Sequence, residues 1–282
     1  MVIIDENTQS RFFTFLRENQ LADGTIQRYK YSLSLLVAYA GNCLNDIIQF
    51  RGFKDFLNGK GLSIPTMNGI IGNVNKFMKF LNVGWRIRRD KIQRQTFLPP
   101  DKELTADEYR KMLDEAMRRG NRRLAMMIET LCGTGIRVSE LQFITVESLS
   151  IGRAEVLNKG KTRMILLPPA LVRNLEKYCE EKGISSGPIF VTRTGRPLDR
   201  SNIWKMLKRL GELVGVVARK VFPHNLRHLF ARTYYEKSHD LARLADILGH
   251  SSVNTTRIYT ANSGQAEQQF MDTLGLIPVS PN

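Results

Sequence analysis

The sequence predicts a mainly α fold with a small β-sheet, an α+β class, divided into two domains. Three observations carry that reading. Apolar residues recur at helical spacing through most of the chain. One stretch, residues 155–167, instead alternates β-forming residues on either side of a Lys-Gly-Lys turn. A Pro-Pro pair at 99–100 interrupts the helical pattern. At 282 residues the chain is long enough for two domains, each with its own core. The expected division is a helical domain over 1–95, a linker over 96–104 and a second domain over 105–282.

The first domain reads as four or five helices. Phe12, Phe13, Phe15 and Leu16 form an apolar face at helical spacing. Asp23-Gly24-Thr25 breaks it, and Thr25 is the expected N-cap of a second helix through Tyr29, Leu33, Leu36, Val37 and Tyr39. Gly41-Asn42 ends that helix. Ile47 to Leu57 is a third, stopped by Asn58-Gly59-Lys60-Gly61. Pro65 sits in the first turn of a fourth, which carries Ile70, Ile71, Val74, Phe77, Met78, Phe80 and Leu81. This part reads as all-helical, and its aromatic stripe reads as core rather than as a platform for stacking bases.

The second domain opens on Thr105, with Glu108 three residues on, which is a capping box for a helix to about Met117. A helix from about Asn121 to Leu131 runs into Gly133-Thr134-Gly135, where the backbone turns and Arg137 starts the next helix. A helix N-terminus attracts anions, and a guanidinium there makes a phosphate clamp. Glu140, one turn on, could brace that arginine, but taken alone the two residues read first as an ordinary surface i, i+3 ion pair. Strands Glu155–Leu157 and Arg163–Leu167 make a hairpin about residues 158–162. Helices follow at Ala170–Lys182, at about Ser201–Val214 and from Phe222 onward, with breaks near Ser238-His239-Asp240 and Gly249.

Composition narrows the function. Lysine and arginine total 42 against 27 acidic residues, a formal charge of +15. Residues 51–100 hold ten basic and two acidic residues, with the densest cluster at Arg86, Arg88, Arg89, Lys91 and Arg94. Such a surface attracts polyanions, nucleic acid first among them; a solvated, solubilising face is the plainer alternative. The basic stretch before the prolines reads either as a segment that tracks phosphates or as a plain tether. No apolar run has membrane-spanning length and no leader pattern opens the chain, so the expectation is a soluble, cytoplasmic protein. Cys43, Cys132 and Cys179 are scattered and read as reduced thiols.

The chemistry concentrates between Pro223 and Thr260. All four histidines fall there, as His224, His228, His239 and His250, with Arg227 between the first two and Tyr259 nine residues after the last; His239 falls at an expected loop and carries no role. Cationic donors beside a hydroxyl point to work on an anion, most simply a phosphate. His224 and His228 have the i, i+4 spacing of a zinc pair, but no third ligand is evident and no metal is expected. Tyr109, Tyr178, Tyr234 and Tyr235 are rival nucleophiles by composition.

Read in order, Gly133-Thr134-Gly135-Ile136-Arg137-Val138-Ser139-Glu140-Leu141, Lys159-Gly160, His224-Asn225-Leu226-Arg227-His228, Leu248-Gly249-His250 and Ile258-Tyr259 resemble the motifs of the tyrosine recombinases, the phage integrase family. The resemblance spans nearly the whole chain, and the length is similar to that of compact, two-domain Xer-like members. It implies a SAM-like helical domain that binds core DNA over 1–95, and a catalytic domain over 105–282 with a C-terminal exchange segment near Gln265 to Leu276. The implied activity is site-specific recombination through a 3′-phosphotyrosyl and a Holliday-junction intermediate.

The same resemblance implies roles. Arg137 and Arg227 grip the non-bridging oxygens of the scissile phosphate, and Tyr259 attacks it. Lys159 protonates the departing 5′-oxygen, and His224 accepts or relays the tyrosine proton. His250 donates a hydrogen bond to a phosphate oxygen, and Glu140 holds the local network. His228 is expected to serve as a helix contact. Arg86, Arg88, Arg89, Lys91, Arg94 and Lys161 are expected on DNA. The implied partners are duplex DNA with inverted half-sites and three further copies in a tetramer on two duplexes; an accessory DNA-bending or directionality factor fits the scheme. No cofactor is implied, because the phosphodiester energy is kept in the phosphotyrosine. A type IB topoisomerase and a DNA-binding regulator that has lost cleavage are the rival readings. The long spacer from His250 to Tyr259 further predicts a nucleophile positioned only within the assembled complex.

Overall fold

In the computed structural model the chain forms two compact units, Met1–Arg94 and Gln95–Asn282. The structure describes all residues except 93–102, 159–160, 193, 251, 260–267, 269–270, 275 and 277–282, and leaves the side chains of Asn158 and Lys161 undescribed.

The first unit comprises β1 (Val2–Ile3), α1 (Glu6–Glu18), α2 (Asp23–Ala40), β2 (Cys43–Leu44), α3 (Ile47–Gly59) and α4 (Ile64–Phe80). It is not wholly helical: β1 pairs antiparallel with β2, joining the start of the chain to the turn after α2. Two-residue strands carry too little alternation to be read from sequence. Asp5 and Asp46 cap α1 and α3 through their carboxylates. Thr25 is not the cap of α2. That helix starts at Asp23 after Ala22, whose carbonyl accepts from the Thr25 N–H, and the Asp23 carboxylate in the first turn offsets the missing cap. Phe12, Leu16, Leu33, Leu36, Phe50, Phe53, Val74 and Phe77 are fully buried, so the aromatic stripe is core. Each such side chain is worth roughly 1.5–3 kcal/mol relative to exposure.

The second unit runs α5 (Ala106–Arg118), α6 (Arg122–Thr134), a 3-10 helix (Val138–Phe143), α7 (Val146–Ile151), β3 (Arg153–Asn158), β4 (Lys161–Leu166), α8 (Pro169–Lys182), α9 (Arg200–Leu213), a 3-10 turn (Ala218–Lys220), α10 (Pro223–Ser238), α11 (Leu241–Leu248), α12 (Val253–Thr256) and a last 3-10 turn (Arg257–Tyr259). The capping box at Thr105 and Glu108 forms as expected. The strands are longer than expected and pair antiparallel from Arg153↔Leu166 to Asn158↔Lys161. Ala154, Val156 and Ile165 point into the core, while Leu157, Met164 and Leu166 are exposed on the other face. Helices α6 and α10 pack together at the centre, around Ile128, Leu131, Leu226 and Leu229. That packing brings the end of α6 to the start of α10, and the site forms there.

Candidate active site

Helix α10 presents His224, Arg227 and His228 on one face, because positions i, i+3 and i+4 are neighbours on a helix. Arg227 is buried to 1% exposure. Its Nη1 donates to the Gly135 carbonyl at 2.7 Å, and its Nη2 to the Leu248 carbonyl at 2.7 Å. Its Nη2 also faces His250 Nε2 at 3.0 Å, and Tyr259 lies near enough to act on its charge. Burying a lone guanidinium costs several kcal/mol, and each hydrogen bond to a charged group returns roughly 1.5–3 kcal/mol. The Nε of Arg227 is buried with no partner among the described residues, a donor left over for a ligand.

Gly135 makes this possible twice over. It ends α6 at φ +64°, a left-handed conformation that favours glycine. A Cβ there would also lie 2.3 Å from the Phe230 ring, so a side chain would push α10 away. The Gly-Thr-Gly-Ile-Arg stretch is therefore a docking corner for α10 as well as a turn.

Arg137 does not start an α-helix. It precedes the six-residue 3-10 helix, and its own N–H is taken by Glu140 Oε2 at 2.7 Å. The expected helix-terminus contribution to anion binding is thus absent here: the local donor is spent on a carboxylate. The guanidinium is braced as expected, Nη1 to Glu140 Oε1 at 3.1 Å, with the arginine side chain 38% exposed and the glutamate 1%. The pair is not a surface ion pair. Glu140 also receives Arg163 Nη2 at 2.5 Å. Burial pushes the Glu140 carboxyl up, but hydrogen bonds from Arg163 and the Arg137 N–H, with both positive charges, outweigh it and hold the group below its ordinary value.

Tyr259 is buried at 3% exposure in the last 3-10 turn. His228 lies between it and His224: ring centroids are 4.7 Å from His228 to Tyr259 and 4.6 Å from His228 to His224, both edge-on. His250 stacks near-parallel to Tyr259 at 6.0 Å. A single chain already seats the Tyr259 ring, edge-on to His228 and among Ala231, Leu244 and Leu248.

His250 faces Arg227 Nη2 through Nε2 at 3.0 Å and Thr256 Oγ1 through Nδ1 at 2.8 Å. Arginine only donates, so Nε2 accepts and the ring proton sits on Nδ1 towards Thr256. Burial, then the charges of Arg227, Arg137, Arg163 and His224, push His250 down to about 4. His228 is pushed to about 4 by burial, His224, Arg232 and Arg227. His224 is lowered too, by partial loss of water and by Arg227, Arg137 and Arg200. The three imidazoles are therefore neutral near pH 7.

A cavity of about 300 Å³ collects Arg137, Ser139, Arg200, Trp204, His224 and Arg227. The structure thus unites Arg137, Glu140, His224, Arg227, His250 and Tyr259. Lys159 lies outside the described residues, as does Arg94, and the Lys161 side chain is not described. Sequence reasoning missed Arg163, Arg200 and Trp204, and read His228 as a mere helix contact. Arg163 carried a signal in principle: a charged residue at an inward position of a strand needs a buried counter-charge.

Residues 102–266 match the phage integrase family. The chain belongs to that family, the tyrosine recombinases, and is an enzyme that cleaves and rejoins DNA at specific sites. Among similar proteins, the tyrosine recombinase XerD of Oceanobacillus iheyensis is 32% identical, covering 88% of this chain and 91% of that one. The tyrosine recombinase XerA of Pyrococcus furiosus is 29% identical, covering 94% and 93%. A crystal structure of XerA recombinase aligns with TM-score 0.53 at 25% identity over 97% of this chain and 99% of that one. A lambda integrase fragment, a dimer bound to a COC′ core site, aligns with TM-score 0.73 at 18% identity over 93% and 96%, a likeness of fold.

In the first unit of this recombinase the basic segment after α4 is no loose tether up to residue 91. Asn75 exchanges two 2.9 Å hydrogen bonds with the backbone of Ile87, and Asn68 two more with that of Asp90. These asparagines, two helical turns apart on α4, hold the strand-like segment as a neighbouring strand would. Ile87 is buried between them, while Arg86, Arg88, Arg89 and Lys91 are exposed. Arg86 and Arg89 line a groove of about 570 Å³ with Lys76 and Lys79. No described helix of the recombinase is long and apolar enough to cross a membrane.

Proposed function

We propose that the chain exchanges DNA strands through a 3′-phosphotyrosyl intermediate formed by Tyr259. The observation that carries the reading is the burial of Tyr259 beside Arg227 and the neutral imidazoles, in a chain that also brings Arg137 to the same cavity. Arg137 and Arg227 neutralise the non-bridging oxygens as charge builds in the transition state, where fixed cations act most strongly. The phenol ordinarily ionises near pH 10, so a neutral proton acceptor is required at the nucleophile. We assign that task to the His224–His228 pair rather than to His224 alone, because His228 is the ring against Tyr259. The Lys159 ammonium gives its proton to the 5′-oxygen as the P–O5′ bond breaks. Glu140 orients Arg137. His250 contacts the phosphate once an anion raises its affinity for a second proton.

The DNA partner is a duplex with inverted half-sites, bound in the first unit through the groove of Lys76, Lys79, Arg86 and Arg89. Four copies act on two duplexes through a Holliday junction. Each passes its C-terminal segment, Gln265 to Leu276, to a neighbour; much of that segment lies outside the described residues. Its sequence places Ala266, Phe270 and Leu274 at helical spacing. A groove of about 850 Å³ lined by Met164, Leu166, Phe230, Tyr234 and Ile247 supports this reading, because it offers apolar surface to such a segment. Truncation after Thr260 then keeps binding of one copy and weakens cooperative assembly.

Footprinting on DNA flanking the gene, followed by a nicked duplex built from the footprint, tests the proposal. The expected result is a covalent protein–DNA adduct on an inverted pair of half-sites. A protected site that never yields an adduct favours a regulator.

A further inference from the structure

The segment that carries the nucleophile, residues 252–259, buries two of its side chains. Thr256 is fully buried and Tyr259 is 3% exposed, while residues 252–255, 257 and 258 are exposed. The two lie three residues apart, on one face of α12 and the 3-10 turn that continues it. Tyr259 brings its phenol to the site. Thr256 brings a hydroxyl, whose Oγ1 lies 2.8 Å from His250 Nδ1.

A buried hydroxyl needs a partner, and in a helix the nearest is the carbonyl four residues back. Thr130 and Thr134, the other buried threonines among the described residues, take that route on α6, to the Met126 carbonyl at 2.7 Å and the Thr130 carbonyl at 2.5 Å. The Thr256 oxygen faces a side chain of the site. Because Arg227 Nη2 donates to His250 Nε2, the ring proton is on Nδ1 and Thr256 Oγ1 accepts it. His250 is thus held at three points: its N–H donates to the Ala245 carbonyl at 2.9 Å, Nε2 faces Arg227 and Nδ1–H is tied to Thr256. A phosphate that engages Arg227 competes for the Nη2 contact. The Thr256 bond, on the opposite side of the ring, then decides where Nε2 points. A proton gained at Nε2 faces the clamp, because Nδ1–H is already committed.

We propose that Thr256 is the positioning residue for His250: its hydroxyl pins the Nδ1 side of the imidazole and aims Nε2 at the phosphate between Arg137 and Arg227, from the same buried face that seats Tyr259. One short segment thereby sets both the nucleophile and a hydrogen-bond donor to the phosphate. The inference rests on the reading of His250 as a contact of the scissile phosphate.

The test measures covalent adduct formation by the full chain on a nicked suicide duplex. Thr256→Val keeps the shape of the side chain but leaves the buried Nδ1–H without an acceptor, and is expected to slow the adduct roughly tenfold. Thr256→Ser keeps the hydroxyl and should stay within about threefold of the unaltered chain. His250→Phe removes a donor to the phosphate and should slow the adduct on the order of 10²-fold. Adding Thr256→Val to it should cost less than about twofold more, because a residue that acts through the ring has nothing left to position. A second readout needs no DNA. The Nδ1 proton, assigned in ¹H–¹⁵N spectra by its loss from His250→Phe, should be visible in the unaltered chain and in Thr256→Ser, and should exchange away in Thr256→Val. If the valine variant does not fold, Thr256→Ala carries the same comparisons. Full additivity of the two substitutions, a serine variant as slow as the valine one, or an Nδ1 proton that persists without the hydroxyl overturns the proposal. A His250→Phe variant that forms the adduct at the full rate takes His250 off the phosphate, and the inference falls with that reading; a slow His250→Phe with an additive Thr256→Val condemns the inference alone.

Discussion

Replacing Glu140 by Gln removes one negative charge from a carboxylate that is 1% exposed and shared by two arginines. Three donors converge on it: the Arg137 N–H, Arg137 Nη1 and Arg163 Nη2. Glutamine keeps one acceptor oxygen and turns an NH₂ towards donors, so at least one guanidinium loses its partner. Breaking a buried pair from one side costs about 3–5 kcal/mol. Arg137 is partly exposed and recovers water, so the lower figure, about 3 kcal/mol, is expected for the second unit. The sign of the pH dependence follows from the lowered carboxyl. The unfolded chain binds the proton more readily, so the stabilisation is full above about pH 4.3 and is lost as pH falls through the folded value. The assay is urea unfolding followed by Trp204 in a Trp85→Phe background, which leaves one tryptophan, in the second unit. Glu140→Gln should lie about 3 kcal/mol below its parent at pH 7, and the gap should narrow below pH 4.3. A gap under about 1 kcal/mol at pH 7, or one that persists unchanged in acid, refutes the shared-carboxylate account.

Three further outcomes are expected. Gly135→Ala adds left-handed strain to a Cβ placed 2.3 Å from Phe230, so it should cost about 3 kcal/mol in the same unfolding assay and slow adduct formation; Phe230→Leu should restore part of the loss. His228 and His250 are each held near 4, so the unfolded chain takes up their protons first and stability, full above pH 6.5, should fall towards pH 4. At 1.36 kcal/mol per unit the loss approaches roughly 3 kcal/mol for the better-buried His228 and is smaller for His250, which water screens, so His228→Phe should flatten the profile by more than half. Arg200→Ala removes a cation from the cavity of Arg137 and Arg227, so DNA affinity should fall and its log–log salt slope should shrink by about 0.9 in a titration from low to moderate salt.

The local features were legible in the sequence, and the long-range ones only through their motifs. The capping box at Thr105 and Glu108 and the proline in the first turn of α4 act over a few residues, and they form as read. Thr25 misled because Asp23 and Gly24 fit a first turn as readily as a break. Arg137 and Arg227 were found by pattern, but nothing local reveals that Gly135 must admit Phe230. Arg163 was invisible for a similar reason. Its partners stand 23 and 84 residues away, and its inward direction appears only once the hairpin register is known. His228 was undervalued because helical spacing shows which residues share a face, not which ring the last turn of the chain presses against that face.

The central claim is that Tyr259 is the nucleophile, and it is most directly tested by finding the residue that DNA becomes bonded to. A nicked suicide duplex should be incubated with the full chain, the adduct digested with protease and nuclease, and the nucleotide-bearing peptide sequenced by mass spectrometry. The account predicts the nucleotide on Tyr259, and no adduct from Tyr259→Phe although that variant still binds the site. A nucleotide on Tyr109, Tyr178, Tyr234 or Tyr235, or an adduct that survives Tyr259→Phe, contradicts it.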